Sequence, residues 1–242
     1  DLQPNEYPTY YPVIIKPRFG SGSRAVKVID DENSLKVMLK EEAPYNEDML
    51  VEQAVQGIEY GVDGIITDSY LSICLLREKI ITNPPARQCV GYIQVAKKDS
   101  LYESVGNYIK DIINELELND CVFHADVIVT GSEIFCVEIS PRPSGHNLHN
   151  CFTIYASGRN LIQEYIDYVE ERKKEIKEVS TSDIKMISYF DFENCEVIGI
   201  PNEQKIKSKY PILEYVCNIS KGYMEPVMDG STLMNRGYYI LY

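Results

Sequence analysis

Two acidic residues that interrupt apolar stretches could together hold a divalent cation. Asp126 lies in the run 121–129 and Glu138 in the run 133–139, twelve positions further along the chain. The runs predict the two strands of a hairpin that turns at 130–132, so both carboxylates can face the same side of the sheet. A carboxylate among apolar residues needs a cation or a donor nearby, and Mg²⁺ is commonly bound by protein carboxylates together with phosphate oxygens. The pair therefore indicates a magnesium site, with a surface hairpin and a salt bridge as the alternative.

Two basic residues have the placement expected of groups that bind phosphate. Arg142 stands between two prolines, just after Glu138, and this rigid context suits bidentate binding of a developing anionic charge. Lys16 lies at the end of the apolar run 12–17, four residues before Gly20, where a charged residue otherwise fits poorly. A lysine in this position can supply the point charge that phosphates need.

The glycine-rich segment 20–25 fits the pattern G-x-G-x-x-A, which taken alone suggests dinucleotide binding. That mechanism requires the loop to open a helix whose N-terminus binds a pyrophosphate. Residues 26–29 are instead Val-Lys-Val-Ile, which predicts a strand. The loop therefore joins two strands, either as a flap that closes over phosphates with its backbone N–H groups or as an ordinary hairpin turn.

The elements that must position these residues follow from the periodicity of the apolar residues. Strands are predicted over 12–17, 25–30, 49–53, 59–66, 70–77, 121–129 and 133–139. Helices are predicted over 31–42, 100–116 and 160–177, and short strands with turns beyond about residue 185. If the strand at 121–129 is regular, His124 shares a face with Asp126. Arg77 is a candidate contact for phosphate or substrate, with a solvated charge cluster as the default. His146 and His149 could line a substrate pocket beside Arg142, with a plain polar loop as the default.

Composition excludes several classes of protein. The chain has 242 residues and a net charge of −13, which argues against a sequence-independent nucleic-acid binder. No apolar run is long enough to span a membrane. The seven cysteines are odd in number and lack C-x-x-C spacing, so we expect neither a zinc knuckle nor a disulfide scaffold, and we expect a reducing, cytoplasmic location.

Three blocks of sequence, in order over roughly residues 12–160, resemble the ATP-grasp superfamily. They are the strand and flap at 13–23, the segment 51–64 and the segment 137–143. Within the superfamily the chain resembles carboxylate–amine ligases, near the L-amino-acid ligases and the large subunit of carbamoyl-phosphate synthetase. The resemblance implies an α+β fold in which two subdomains clamp a nucleotide, with a small β-rich C-terminal lobe.

The resemblance also implies how ATP is bound. Lys16 is expected to contact the α- and β-phosphates, and the flap to close over the β- and γ-phosphates. A hinge is expected to read adenine largely through backbone groups, and Glu59 to accept hydrogen bonds from the ribose hydroxyls. The flap residues are Ser21, Gly22 and Ser23, and the hinge residues are Glu52, Gln53 and Val55.

The metal site and its arginine follow in the same way. Asp126 and Glu138 are expected to hold Mg²⁺, with Ser140 at the third ligand position, and Arg142 to stabilise the transferring phosphoryl group and the acyl phosphate. The family commonly has Asn where this chain has Ser140, and a serine hydroxyl is a poorer ligand. An upstream N-terminal domain and a second phosphate-binding lysine of the family are also missing from this chain.

The predicted organisation is an N-terminal tail over 1–11, an ATP-grasp domain over 12–180 and a C-terminal lobe over 181–242. Within the ATP-grasp domain, 12–52 forms the glycine-flap subdomain and 53–180 the metal- and substrate-binding subdomain. The missing upstream domain suggests that the chain is the C-terminal part of a longer ligase, completed by that domain or by a partner chain. A homodimer is a further expectation.

The implied activity is ATP-dependent ligation of a carboxylate to an amine. ATP converts the carboxylate to an acyl phosphate, and the amine then displaces phosphate from the acyl carbon. Such chemistry depends on positioning and charge neutralisation rather than on a protein nucleophile. The substrates are expected to be small and amino-acid-like. The alternatives are an ATP-binding module without turnover and a purely structural domain.

Overall fold

The computed structural model describes residues 7–19, 26–41, 49–83, 87–171, 183–200, 202–224 and 230–242. The predicted flap residues Ser21, Gly22 and Ser23 lie outside this part of the chain. The chain divides into two compact units: the first contains residues 1–56 and 81–88, and the second contains residues 57–80 and 89–242.

The first unit is built on a three-stranded antiparallel sheet with the order β2-β1-β3. Its elements are β1 (Val13–Pro17), β2 (Lys27–Ile29), α1 (Glu32–Glu41) and β3 (Met49–Gln53). Alternate residues of β1 point inward, so Val13 and Ile15 are fully buried and pack with residues of α1 and β2. The strands on either side of the glycine-rich segment, β1 and β2, pair antiparallel, so the predicted strand after that segment is confirmed.

The second unit contains an eight-stranded sheet with the order β10-β11-β9-β6-β5-β4-β7-β8. Neighbouring strands pair antiparallel from β10 to β6 and again from β5 to β8. The strands are β4 (Ile58–Thr67), β5 (Tyr70–Ile81), β6 (Cys89–Gln94), β7 (Cys121–Thr130), β8 (Glu133–Ser140), β9 (Met186–Tyr189), β10 (Ile212–Cys217) and β11 (Gly237–Leu241).

Helix α2 (Ser100–Glu115) covers one face of this sheet. It begins after Asp99, whose side chain accepts a hydrogen bond from the Leu101 backbone N–H at 2.9 Å, as an N-cap does. Its buried residues Val105, Ile109 and Ile113 recur at helical spacing and pack against apolar residues of β4, β5 and β7. The strand residues that alternate with this apolar set therefore lie on the opposite face.

The remaining helices of the described residues are short. A π-helical turn, Leu148–Phe152, continues into α3 (Thr153–Ser157), and α4 (Leu161–Val169), α5 (Glu203–Lys209) and α6 (Gly230–Arg236) follow. The predicted helix over 160–177 was too long, because α4 ends at Val169 and Glu171 has a φ of 54°. In the described part of the chain no helix combines the length and the apolar character that crossing a bilayer requires.

The α+β class is confirmed. Strands β9, β10 and β11, which belong to the expected C-terminal lobe, join the large sheet through the pairing of β9 with β6. They contribute Ile187, Tyr189 and Ile240 to one buried cluster together with Leu75 and Phe152. The domain boundaries given above remain predictions.

Candidate active site

The face of the large sheet opposite α2 collects the charged residues of four neighbouring strands. In β4, Glu59, Gly61 and Asp63 alternate with Tyr60 and Val62, which pack towards α2. Directly opposed residues of paired strands share a face, so the register of β5, β7 and β8 extends the same set. We call this surface the polar face; its residues are Glu59, Asp63, Arg77, Lys79, His124, Asp126, Glu138 and Ser140.

The predicted acidic pair does meet on this face. Asp126 of β7 stands directly opposite Glu138 of β8, and His124 stands opposite Ser140. The register shifts between Asp126 and Val127, which leaves Val137 as the extra residue of a β-bulge. One ligand atom from each of His124, Asp126 and Glu138 lies within 4.8 Å of the other two. The hairpin thus brings together the side chains that a divalent cation needs.

Lys79 is a site residue that sequence reasoning missed. Its Nζ lies 2.5 Å from Oδ2 of Asp126 and 3.7 Å from Oε2 of Glu59. Burial opposes the charge on this ammonium group, but Asp126 and Glu59 outweigh burial and raise the pKa of Lys79. Likewise, burial opposes ionisation of Asp126, but Lys79 and His124 outweigh it and lower the pKa of that carboxyl. The site therefore holds opposite charges side by side at neutral pH.

One of the two carboxylate oxygens of Asp126 is available to a further ligand. Its Oδ2 accepts a hydrogen bond from Lys79, whereas its buried Oδ1 has no hydrogen-bond partner among the described residues. A buried carboxylate oxygen without a donor is costly unless a cation or an ordered water reaches it. The orphaned oxygen, with Glu138 opposite, fits a divalent cation bound by oxygen ligands.

Behind this pair lies a buried polar network. Asp63 accepts hydrogen bonds at Oδ2 from Arg77 Nη1, from Thr153 Oγ1 at 3.0 Å and from Ser144 Oγ at 3.2 Å. Its Oδ1 lies 3.2 Å from Nδ1 of His124. Burial opposes ionisation of Asp63, but Arg77 and His124 outweigh it and lower the pKa of Asp63 to about 2. The carboxylate is therefore charged at every pH at which the protein is expected to work.

Arg77 is not the phosphate contact that was expected, nor part of a solvated charge cluster. Its side chain is fully buried, pairs with Asp63 and lies over the ring of Tyr92 at 5.2 Å. Gly61 stands opposite Arg77, and a Cβ at that glycine would lie 3.0 Å from the guanidinium group. Glycine at this position therefore leaves the room that Arg77 needs to cross the strand and reach Asp63.

Arg142 lies just after β8, at the end of the hairpin opposite the turn. Its Nη2 is 3.9 Å from Oε1 of Glu138, and its Nη1 donates to the Pro143 carbonyl at 2.9 Å. Both charged side chains are about half exposed (52% and 51%), so solvent screens the pair. The guanidinium group thus lies beside the acidic pair without being locked into the fold.

The loop after Arg142 carries the two other histidines. His149 Nδ1 lies 2.5 Å from the Ser144 carbonyl oxygen, and His146 packs edge-on against Tyr189 at 6.1 Å. Burial lowers the pKa of His146, and Lys79 lowers it further. His146 has a φ of 53°, so its backbone is held in the left-handed region beside the polar face. The expected pocket role of these residues remains a prediction.

Of the predicted nucleotide-binding residues in the first unit, Lys16 and Glu52 meet. Lys16 Nζ lies 2.7 Å from Glu52 Oε2, with side chains 22% and 46% exposed. Gln53 stands opposite Val13 at the exposed end of β3, and Val55 is half-buried. Within this unit the lysine is thus held by the carboxylate of the predicted hinge.

Comparison with known proteins identifies the family. The model of the ATP-grasp domain matches residues 9–151, more than half of the chain. The chain therefore belongs to the ATP-grasp family, and the resemblance found in the sequence is confirmed.

Two individual relatives illustrate the range of similarity. The D-alanine–D-alanine ligase of Campylobacter concisus (strain 13826) is 24% identical in an alignment of 187 residues that covers 71% of this chain and 52% of the relative. The D-alanine–D-alanine ligase of Petrotoga mobilis is 26% identical in an alignment of 144 residues that covers 56% of this chain and 48% of the relative. The chain thus spans about half the length of the curated relatives it matches.

Solved structures share the fold. The L-amino acid ligase of Bacillus licheniformis superposes with a TM-score of 0.76 at 13% identity, covering 98% of this chain and 59% of that one. The biotin carboxylase domain of Hydrogenobacter thermophilus 2-oxoglutarate carboxylase, solved with MgADP, gives a TM-score of 0.66 at 15% identity, covering 96% and 53%. At these identities the likeness shows the fold alone, which confirms the ATP-grasp prediction.

Proposed function

We propose that this chain is the nucleotide- and metal-binding part of an ATP-dependent carboxylate–amine ligase. The observation that carries the proposal is the register of β7 and β8, which sets Asp126 against Glu138 beside Lys79 on the polar face of an ATP-grasp chain. Three of the four proteins named above are by name ligases of amino acids, which supports the same class of reaction. The substrates proposed are a small carboxylate and an amine, both amino-acid-like.

The reaction has two steps whose demands match the polar face. A carboxylate oxygen attacks the γ-phosphorus of ATP, the bond to the β-phosphate oxygen breaks, and ADP leaves. The amine then attacks the acyl carbon of the acyl phosphate, loses a proton and releases phosphate. Both steps gather negative charge on phosphoryl oxygens, so catalysis needs fixed positive charge and exclusion of water.

The residues supply that charge in distinct ways. Asp126, Glu138 and Ser140 would hold Mg²⁺, which when bound neutralises phosphate charge. Lys79, held between Asp126 and Glu59, presents an ammonium group at a fixed position on the polar face.

Further residues complete the assignment. Arg142 is exposed next to Glu138 and is assigned to the transferring phosphoryl group. Lys16 and the flap residues Ser21, Gly22 and Ser23 are assigned to the phosphates. Glu52, Gln53, Val55 and Glu59 are assigned to adenosine.

Thermal unfolding with and without Mg-ATP tests the nucleotide assignment. A ligand at about 100 times its Kd stabilises a protein by about 2.7 kcal/mol, which for this size of domain raises Tm by about 5–10 °C. We expect this rise for the wild type and its loss in Lys16→Ala and Glu138→Ala. Glu133→Ala is the matched control, because Glu133 is exposed on the same strand as Glu138 but lies at the other end of it. An unchanged wild-type Tm at saturating Mg-ATP would refute the assignment.

Turnover distinguishes the ligase from its alternative, an ATP-binding module without turnover. Ser140 at the third ligand position and coverage of about half of the relatives' length favour that alternative. We expect ADP release when the protein is incubated with Mg-ATP and pooled amino acids. ATP binding without ADP from any pool would establish the binding module instead.

The remaining features of the proposal concern context. We propose that an upstream domain or a partner chain completes the substrate pocket, because the chain spans about half of its relatives. A cytoplasmic location agrees with the described cysteines, none of which forms a disulfide. Homodimer formation is proposed on the family resemblance, and sedimentation velocity of the purified chain would test it.

A further inference from the structure

We propose that His124 is a direct ligand of the cation held by Asp126 and Glu138, so that the site binds Mn²⁺ in preference to Mg²⁺. The inference rests on the proposed function, because it concerns the same cation. It goes further by giving the site a nitrogen ligand and therefore a different metal preference.

The placement of His124 is the first observation. His124 precedes Asp126 by two residues in β7, so both side chains lie on the polar face. Its Nε2 lies 3.4 Å from Asp126 Oδ1, and one ligand atom each of His124, Asp126 and Glu138 lie within 4.8 Å of one another. Since the Glu138 side chain is half exposed, it can turn inward until one ion contacts all three residues.

The second observation is the position of the proton on the imidazole ring. Arg77, Thr153 and Ser144 all donate to Oδ2 of Asp63. The other oxygen, Oδ1, meets only Nδ1 of His124 among the described residues, at 3.2 Å. A buried carboxylate oxygen requires a donor, so Nδ1 carries the proton. Nε2 is then the ring nitrogen that faces Asp126 and is the one placed to bind a cation.

Arg77 does not change this assignment. Its Nη2 lies 3.3 Å from Nδ1 of His124, but a guanidinium group only donates and cannot take the Nδ1 proton. If Nδ1 instead accepted from Arg77, Oδ1 of Asp63 would be left buried without a donor. Asp63 is 2% exposed, so that arrangement is the costlier one.

The two atoms proposed as ligands therefore face each other in a buried setting. Nε2 of His124 and Oδ1 of Asp126 are 3.4 Å apart, and Oδ1 has no hydrogen-bond partner among the described residues. His124 is 7% exposed, so bulk water does not separate the two atoms. A cation placed between them would take the place of a proton on Nε2 and would be bound by both atoms. The arrangement of Asp63, His124 and the cation is the carboxylate–histidine–metal relay that fixes imidazole ligands in proteins.

A nitrogen ligand changes which ion is favoured. Mg²⁺ prefers oxygen ligands, whereas imidazole suits first-row transition ions, of which Mn²⁺ also accepts carboxylates. His124 stands opposite Ser140, the position at which the resemblance leads one to expect Asn. Ser140 on β8 is a poor ligand, and His124, which stands opposite it on β7, would supply a ligand in its place.

Pulsed electron paramagnetic resonance of bound Mn²⁺ tests the inference directly. The full chain is loaded with Mn²⁺ in the presence of a non-hydrolysable ATP analogue. We expect modulation from a directly bonded ¹⁴N nucleus, which changes to the ¹⁵N pattern when the protein is made with ¹⁵N-histidine. His124→Gln is expected to lose the modulation and to weaken Mn²⁺ binding at least tenfold, with a smaller effect on Mg²⁺.

Matched controls assign the signal even if His124→Gln fails to fold. The chain has three histidines, so retention of the ¹⁴N modulation in both His146→Asn and His149→Asn assigns it to His124 by elimination. Mn²⁺ bound with oxygen ligands only would overturn the inference and leave the proposed function standing. Absence of any Mn²⁺ or Mg²⁺ binding, with or without the nucleotide analogue, would overturn both.

Discussion

Removing one partner of the buried ion pair between Asp63 and Arg77 is expected to destabilise the second unit strongly. Asp63→Asn keeps the shape of the side chain but removes the charge that faces a fully buried guanidinium group. Breaking a buried pair by removing one partner costs about 3–5 kcal/mol, because the other charge stays buried. The whole free energy of unfolding of a domain is roughly 5–15 kcal/mol, so this single change should lower Tm by about 6–20 °C.

Urea unfolding followed by tyrosine fluorescence measures this cost, since the chain has 19 tyrosines and no tryptophan. Arg77→Met and the double variant complete a double-mutant cycle, in which the double variant should lose much less than the sum of the single losses. Glu32→Gln is the control, because Glu32 pairs with Lys36 on an exposed helix surface and should cost less than about 0.5 kcal/mol. A loss below about 1 kcal/mol for Asp63→Asn, or strictly additive single losses, would refute the reasoning.

Acid titration adds an independent check on the same pair. The pKa of Asp63 is lowered from 3.8 to about 2 in the folded protein. Its contribution is therefore fully present above about pH 4 and is lost as the pH falls through about 2. The shift corresponds to about 2 kcal/mol. Between pH 4 and pH 2 the free energy of unfolding of the wild type should therefore fall by about 2 kcal/mol more than that of Asp63→Asn. Plots of unfolding free energy against pH that run parallel for the two proteins would contradict the assignment.

Two further predictions concern packing and thiol reactivity. Gly64→Ala should destabilise the protein by about 1–3 kcal/mol, since the new Cβ would lie 2.5 Å from the Phe123 ring; Gly199→Ala, with nothing within 4 Å, is the control in the same urea assay. Iodoacetamide at pH 8 should modify exposed Cys195 but not Cys151, whose pKa is raised to about 12 by burial and by its hydrogen bond to a glutamate. Equal labelling of both thiols by mass spectrometry would contradict this.

The sequence predicted the strands around the site well, because alternation and turn residues are local signals. The strand predictions over 49–53 and 121–129 agree with β3 and β7 to within a residue, and the helix over 100–116 agrees equally well with α2. The end of the helix after Asn160 was overestimated, because its charged continuation carries no clear stop signal.

Asp126 and Glu138 face the same side of the sheet, as predicted. They do so because of a β-bulge that the sequence does not reveal. The turn pairs Thr130 with Glu133, and a regular ladder from there would oppose Asp126 to Val137. Glu138 would then lie on the other face. The bulge at Val137 restores the pair, and nothing in that apolar run marks where an extra residue should be accommodated.

Long-range contacts account for what could not be predicted. Arg77 contacts Asp63, fourteen positions away, and His124, forty-seven positions away, and Lys79 contacts Asp126 at the same separation of forty-seven. In the sequence Arg77 and Lys79 look like two members of one exposed charge run. Only the register of three paired strands shows that one is fully buried and the other lies in the site.

The bulge at Val137 also makes this hairpin unequal in its tolerance of insertions and deletions. Extra residues between Gly131 and Ser132 would lengthen only the exposed tip and leave the pairing of Asp126 with Glu138 in place. Removing Val137 would remove the bulge and leave a regular ladder in which Glu138 still stands opposite Asp126, whereas a second deletion between the tip and the acidic pair would turn Glu138 to the side of α2. In homologous chains of differing length, gaps are therefore expected at the tip and at the position of Val137.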